Sequence, residues 1–312
     1  MMKDNIVEWY KSTQGIYNKL FLAFPPGIIF QVILVAATFS FAAMIIEILF
    51  IGWLKSSLRK LLKPNVTARI DILTFLIMNS SISSLLGLIL SIGLFEYLQG
   101  KISAILPSDL GFNTHPILHA LLFLIIIDFM DYWIHRLSHE SKILWNLHQF
   151  HHAAKEMTVI TSHRNHPMEV AIHAAKHALI ASLLGLPIIE FTSILVLRSV
   201  LAGLKHSQLQ WKWNWFGKWV LQSPHLHWVH HSTDPAHYNS NYATLFSTWD
   251  ALFGTYCSPK QDIKNIGLVN ERLNSRGFIY DIWICYWGFL HDCAWAVYQF
   301  PQKIYSQTFP KK

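Results

Sequence analysis

Charge is what this chain has least of. Asp, Glu, Lys and Arg together make up 14% of its 312 residues, against 52% hydrophobic residues. A soluble domain carries about 25% charged residues, so this surface is too apolar to be wrapped in water. Cysteine is also scarce: Cys257, Cys285 and Cys293 lack CxxC spacing, which excludes a disulfide scaffold and leaves them as packing residues. No HExxH occurs, since His139-Glu140 is followed by Ser141-Lys142-Ile143, and neither GxxxxGK[ST] nor GxGxxG is present. Zinc proteases and the usual nucleotide-binding loops are thereby set aside. Disorder is excluded by 20 Phe, 13 Trp and 11 Tyr. The net charge of +7 in so apolar a chain points to an anionic membrane face, not to nucleic acid.

What is abundant is long apolar sequence. Ile28 to Trp53 is interrupted only by Glu47, and Ile72 to Phe95 has no charged residue. Either run, as a helix, crosses a hydrocarbon core of roughly 30 Å. A third, Pro116 to Ile127, continues helically through Asp128 to Trp133. The stretch from Glu169 to Leu204 is broken by Gly185-Leu186-Pro187 into halves of about 15 residues, short for a span. A hairpin of two short helices fits it better than one kinked span. Met1 to Phe24 reads as an interfacial segment, not a cleavable signal. The basic loop carrying Lys55, Arg59, Lys60, Lys63 and Arg69 belongs in the cytoplasm by the positive-inside rule. The third span then runs inward, and a hairpin keeps everything after it on that side. Trp211, Trp213, Trp215 and Trp219 with Lys212 and Lys218 resemble an interfacial anchor more than a lid over a lipid site.

Eighteen histidines are the other excess. His135 and His139 form an HxxxH; His148, His151 and His152 form an HxxHH; His227, His230 and His231 form another. On a helix such spacings aim two or three imidazoles to one side. Eight are too many for one tetrahedral zinc and enough for two first-row ions with positions left open. Nitrogen ligands suit iron but also accept zinc or copper. Asp128 and Arg136 read as residues that orient these ligands, with Asp131, Glu140 and Asp250 as further carboxylates nearby; Glu140 could alternatively bind metal. His163, His166, His173, His177 and His225 read mainly as hydrogen-bonding neighbours, and His115 and His119 sit at the far end of the third span.

Asp128-Phe129, Tyr132-Trp133, His135-Arg136 and His139 resemble the DFxxYWxHRxxH segment of the fatty acid hydroxylase/sterol desaturase superfamily. The likeness continues through Leu144-Trp145, His148 to His152, Arg164, His166-Pro167 and Glu169. It closes with His227 to His231, Asn241-Tyr242, Trp249-Asp250 and Phe253-Gly254-Thr255, covering roughly residues 115 to 257. The resemblance implies an all-α, multi-pass membrane protein of about four transmembrane helices, the last pair a short hairpin, with a cytosolic helical cap. It further implies two iron ions held by the eight clustered histidines, with His206 as a ninth ligand, and O₂ as co-substrate. A lipid (acyl, sterol or ether) would be hydroxylated with electrons from a separate protein, because the haem-binding HPGG of a fused donor is absent. Asn239-Ser240-Asn241-Tyr242-Ala243 departs from the family's DxNYG ending, where a contact and a tight turn are expected to differ. Desaturation with the same ligands is the alternative within the class, and a histidine-rich metal transporter the alternative outside it. Residues 1–114 are expected to hold the first two spans, 115–257 the histidine domain, and 258–312 an aromatic helical tail. The site lies on the cytoplasmic face of a bacterial inner membrane or of the endoplasmic reticulum.

Overall fold

Runs of Leu, Ile, Phe and Ala without internal proline satisfy their backbone hydrogen bonds most readily as helices. The computed structural model describes residues 26–78, 116–184, 188–269 and 272–308. In chain order its helices are α1 (Pro26–Ile51), α2 (Ser57–Leu62), α3 (Val66–Met78), α4 (Pro116–Glu140), α5 (Lys142–His152), α6 (Pro167–Leu184), α7 (Ile188–Lys205), α8 (Asn214–Trp219), α9 (Pro224–His230), α10 (Thr248–Leu252) and α11 (Phe278–Thr308). Among the described residues there is no strand, only an isolated bridge between Ser232 and Ile266. The interfacial segment 1–24, the later part of the expected second span (79–95), His115 and the Gly185-Leu186-Pro187 break all lie outside the described residues.

Ile117–Glu140 is, among the described residues, the one helix long and apolar enough to cross a membrane; Ala37–Ile51 is a shorter apolar helix. At 1.5 Å per residue α4 is about 37 Å long, so its last turns carry His135 and His139 beyond the apolar part. Helices α6 and α7 are 18 residues each, longer than the 15 expected, and at their outer ends they take in Pro167, Met168 and Lys205 beyond the expected stretch. Their contacts with α4 show that they run antiparallel. The Leu184 carbonyl accepts from His119 Nε2 at 2.7 Å, while His173 and Lys176 reach Asp131. On the return, Phe191 meets Phe123 edge-on at 5.8 Å and Arg198 donates to Asp128 at 3.0 Å. Both outer ends of this hairpin therefore lie at the histidine-bearing end of α4. Ala178 and Ala181, fully buried beside Phe123, Ile127 and Phe191, let the helices approach closely.

The layer beyond the hairpin is held by buried charges. Arg164, fully buried, donates to the Phe150 carbonyl at 2.8 Å, to Asp71 Oδ1 at 3.0 Å and to Asn274 Oδ1 at 2.6 Å. It thus ties α3, α5 and the segment before α11 together. Glu47, the interruption in the first apolar run, accepts from the Ser57 N–H and hydroxyl and from the Gln208 N–H, fixing the basic segment and the end of α7 to α1. Helix α11 packs along α5, and closely at Gly288: a Cβ there would sit 2.6 Å from Asn146 Oδ1, so the Asn146 side chain would have to shift. Breaking a buried pair by removing one partner strands the other charge. Arg164→Met is expected to destabilise the purified protein by about 3–5 kcal/mol, with Asp71→Leu in the same chain restoring part of it; thermal unfolding in detergent checks both.

Candidate metal centre

The last turns of α4, all of α5 and the short α9 converge beneath the hairpin. Helix α9 starts on Ser223, whose side chain accepts from the Leu226 N–H, with Pro224 at its first position. His206 follows the last residue of α7. The nine clustered histidines fall into two groups whose candidate ligand atoms lie within 4.8 Å of one another: His135, His139, His148, His152 and His230, and His151, His206, His227 and His231. Each HxxHH therefore divides between both groups. The i,i+4 pairs (His148 with His152, His227 with His231) stay together, and the i+3 residue goes to the other group. The groups touch where His152 stacks on His231 at 4.2 Å between ring centroids.

In five of the nine rings Nδ1 is fixed by a protein acceptor. Nδ1 of His135 is 2.6 Å from the Tyr242 carbonyl, that of His230 is 2.9 Å from the Ser240 carbonyl, and that of His148 is 2.7 Å from Glu169 Oε1. In the second group Nδ1 of His151 meets the Arg164 carbonyl at 3.1 Å and that of His206 the Ala202 carbonyl at 2.7 Å. The inward Nε2 atoms of His139, His148, His152 and His230 are buried with no hydrogen-bond partner. In the second group the Nε2 atoms crowd together, His206 to His227 at 2.9 Å, His206 to His151 at 3.3 Å and His231 to His227 at 3.2 Å. Burial pushes His151 and His230 down to about 3, and His152, His206, His227 and His231 well below the ordinary imidazole range. The rings are thus neutral, the form that binds a metal. Four partnerless Nε2 atoms in the first group and four crowded Nε2 atoms in the second each form a nitrogen cluster that fits a first-row cation.

Of the residues expected to orient the histidines, none bonds a clustered imidazole directly, and two, Asn241 and Asp250, hold the backbone beside one. Asp128 accepts from Arg198, Thr244, the Phe246 N–H and the Trp249 indole, not from an imidazole. Arg136 and Glu140 pair with each other at 2.8 Å on the outer face of α4. His166 reaches the Ile282 carbonyl and His225 the Pro259 carbonyl, so neither meets the groups. Asn241 donates to the carbonyls of Leu226 and Cys257, pinning the backbone beside His227. Asp250 accepts from the N–H groups of Tyr242 and Ala243 and from Thr255, and so holds the carbonyl that meets His135. The side chain that directly orients a ligand is Glu169, in the first turn of α6; its only signal in sequence was a carboxylate following His166-Pro167. The departures around Asn241 are absorbed locally: Asn239 and Asn241 both take φ 56°, while Ala243 avoids the left-handed region that would favour glycine.

A cavity of about 440 Å³ opens from the histidines into the hairpin, from His135, His148, His151, His206 and His227 toward Leu195 and Phe191. A third group, Asp131 with His173 and His177, lines its wall, but Lys176 and Arg198 already pair with Asp131. Asp250→Asn replaces an acceptor by a donor facing two backbone N–H groups; the expected loss is about 1–3 kcal/mol in thermal or chemical unfolding, with the helix content of the folded protein unchanged.

Residues 120–255 match the fatty acid hydroxylase family. Among curated proteins the chain is 30% identical over 157 residues to the ornithine lipid hydroxylase OlsE of Rhizobium tropici, covering 50% of this chain and 46% of that one. It is 30% identical over 139 residues to alkylglycerol monooxygenase of Xenopus tropicalis, 44% of this chain and 30% of the relative. To a putative Delta(7)-sterol-C5(6)-desaturase 2 of Arabidopsis thaliana it is 25% identical over 146 residues, 46% and 49% of the two chains. The matched region spans less than half the length of each of these relatives. No solved structure matches. Histidine spacing, the closing Trp249-Asp250 segment and these relatives converge on one conclusion: through residues 120–255 the chain belongs to the fatty acid hydroxylase superfamily.

Proposed function

We propose that this protein is a multi-pass membrane lipid hydroxylase that works with two iron ions and O₂ and takes electrons from a separate protein. The observation that carries this reading is the pair of buried histidine groups, the first with four partnerless Nε2 atoms and the second with four Nε2 atoms crowded together, opening on a cavity that runs toward Leu195 and Phe191. His135, His139, His148, His152 and His230 would hold one ion, and His151, His206, His227 and His231 the other. The bound ions supply the redox chemistry by which O₂ attacks an unactivated C–H bond. In balance, one oxygen atom enters the C–H bond, and the other leaves as water with two electrons from the donor and two protons. The chain's own residues prepare the site. Glu169 and the carbonyls of Ser240, Tyr242, Arg164 and Ala202 fix which ring nitrogen faces inward. Leu195, Phe191 and Leu245 keep water from the cavity, which lies among helices α4, α6 and α7 and would be reached from the bilayer.

Packing supports a cytoplasmic site. The basic segment with Lys55, Arg59 and Lys60 adjoins α3, and α3 packs against the turn Val159–His163 and, through Asp71, on Arg164, whose carbonyl orients His151. The positive-inside rule then favours a cytoplasmic metal centre. Hydroxylation is preferred to desaturation because the hydroxylase and monooxygenase relatives are 30% identical and the sterol desaturase 25%.

Metal analysis of detergent-purified protein is expected to give about two iron ions per chain. His230→Ala should lower the content of the first group and spare the second, and His151→Ala with His230→Ala should lower both. Chains without bound metal, or with metal untouched by the double substitution, would overturn the assignment. Glu169→Gln removes the carboxylate behind His148; chelator should then strip one ion about 10–100-fold more easily while the other is retained.

A further inference from the structure

The bare apolar surface of α4 does not end where that helix meets the metal layer. With 33% of its apolar window buried, α4 leaves Leu118, Leu121 and Ile125 exposed along one face. The next residue on that face is Phe129, and there the α10 segment packs against it. Phe129 meets Trp249 at 5.1 Å and Phe253 at 6.2 Å between ring centroids, and Trp133, one turn on, meets Phe253 at 5.0 Å. From these contacts the exposed surface passes to Leu252, 61% exposed, and on to Trp215, 69% exposed, with Phe216 and Trp219. The last three lie on α8, which Thr248 ties to α10 by donating to the Trp219 carbonyl.

The cations of this patch ride on rings. Lys218 Nζ lies 5.1 Å from the Trp219 ring centroid and 5.3 Å from that of Tyr256, and the Arg136 guanidinium lies 5.5 Å from that of Trp133. Arg136 also pairs with Glu140, whereas no carboxylate among the described residues pairs with Lys218. An apolar body beneath a basic tip suits the level where hydrocarbon gives way to headgroups. The backbone is strained to present α8 in this way: Trp213 and Asn214 hold φ at 50° and 44°, a left-handed conformation that is costly for a side chain as large as indole. Helix α10 also carries Asp250, which holds the N–H groups of Tyr242 and Ala243 and so the carbonyl facing His135. Patch and metal layer thus share one short helix.

Resting on the membrane hydroxylase reading, we propose that α8 and the end of α10 sink into the headgroup layer of the leaflet on the metal side. Trp215, Trp219, Leu252 and Phe253 then lie at the boundary of the acyl chains, and the patch fixes the depth of the metal layer against the bilayer.

The test uses the full chain, grown with fluorotryptophan, loaded with its metal and placed in phosphatidylcholine nanodiscs. Trp215→Phe and Trp219→Phe each remove one of the 13 tryptophans and so assign two fluorine signals. Both signals are expected to be lost to doxyl lipid labelled just below the headgroup, and to survive both lipid labelled at the chain end and a soluble gadolinium chelate. Trp215→Ser with Leu252→Ser removes much of the exposed apolar surface, and the Trp219 signal is then expected to be lost to the chelate. Indole signals lost to the chelate in the unsubstituted chain would overturn the proposal. So would signals that survive every agent, the result if a protein partner or a second copy covers the patch, or a Trp219 signal unmoved by the double substitution. The depth measured on the unsubstituted chain stands even where the double variant fails to fold. Iron content is read on the same samples. Protein without iron whose indoles meet the doxyl lipid defeats the hydroxylase reading and leaves the anchor standing; iron-loaded protein whose indoles meet only the chelate does the reverse.

Discussion

A neutral imidazole has one N–H and one lone pair, and much of the layer beneath the hairpin is shaped by which of the two faces inward. His135 and His230 are oriented by carbonyls only two residues apart, those of Tyr242 and Ser240. That spacing works because left-handed residues at Asn239 and Asn241 alternate with ordinary ones, bringing both carbonyls to imidazoles of the same group. Asn and Asp tolerate this conformation better than other side chains. Asp250 then anchors the strap by taking the N–H groups of Tyr242 and Ala243. A loop with no regular structure is thus as tightly specified as a helix.

Buried carboxylates perform the same service across the molecule. Glu47, Asp71, Asp128 and Asp250 are each fully buried; the first three accept from segments distant in sequence, and Asp250 accepts from the loop just before it. Asp128 joins α4 to α7 through Arg198, to the loop before α10 through Phe246 and to α10 itself through Trp249. Such sites are directional where apolar packing is not, and the price is that every donor must be present. In an assembly made largely of interchangeable Leu, Ile and Phe, these few acids set the register between helices.

Much of this was legible in the residues themselves. The apolar run through Pro116 to Trp133 and the i,i+4 spacing of His135 and His139 read directly as one helix with its ligands at the end. The break at Gly185-Leu186-Pro187 read as a hairpin, and α6 and α7 do run antiparallel. Less legible was the division of each HxxHH between two groups: helical periodicity places residue i+3 near i and i+4, but which neighbour it faces depends on α4 and α7 packing from either side. Glu169 was missed because it sits 21 residues from His148 and meets it only once α6 folds back. Arg136 and Glu140 stand next to His135 and His139, yet on a helix immediate neighbours point to different faces. Asp128 is turned toward α7, and the other two toward the outside.

One consequence follows from the continuity of α4. His135 and His139 stand on the same unbroken rod as the apolar stretch from Ile117, with no loop between them to absorb movement. His151, His227 and His231 are carried by short helices of the outer layer. On the proposed membrane reading, a bilayer thinner or thicker than the rod's apolar length would be accommodated by tilt, and tilt of α4 would move His135 and His139 relative to the histidines of the short outer helices. Membrane thickness would in this way bear on the geometry of the histidine groups.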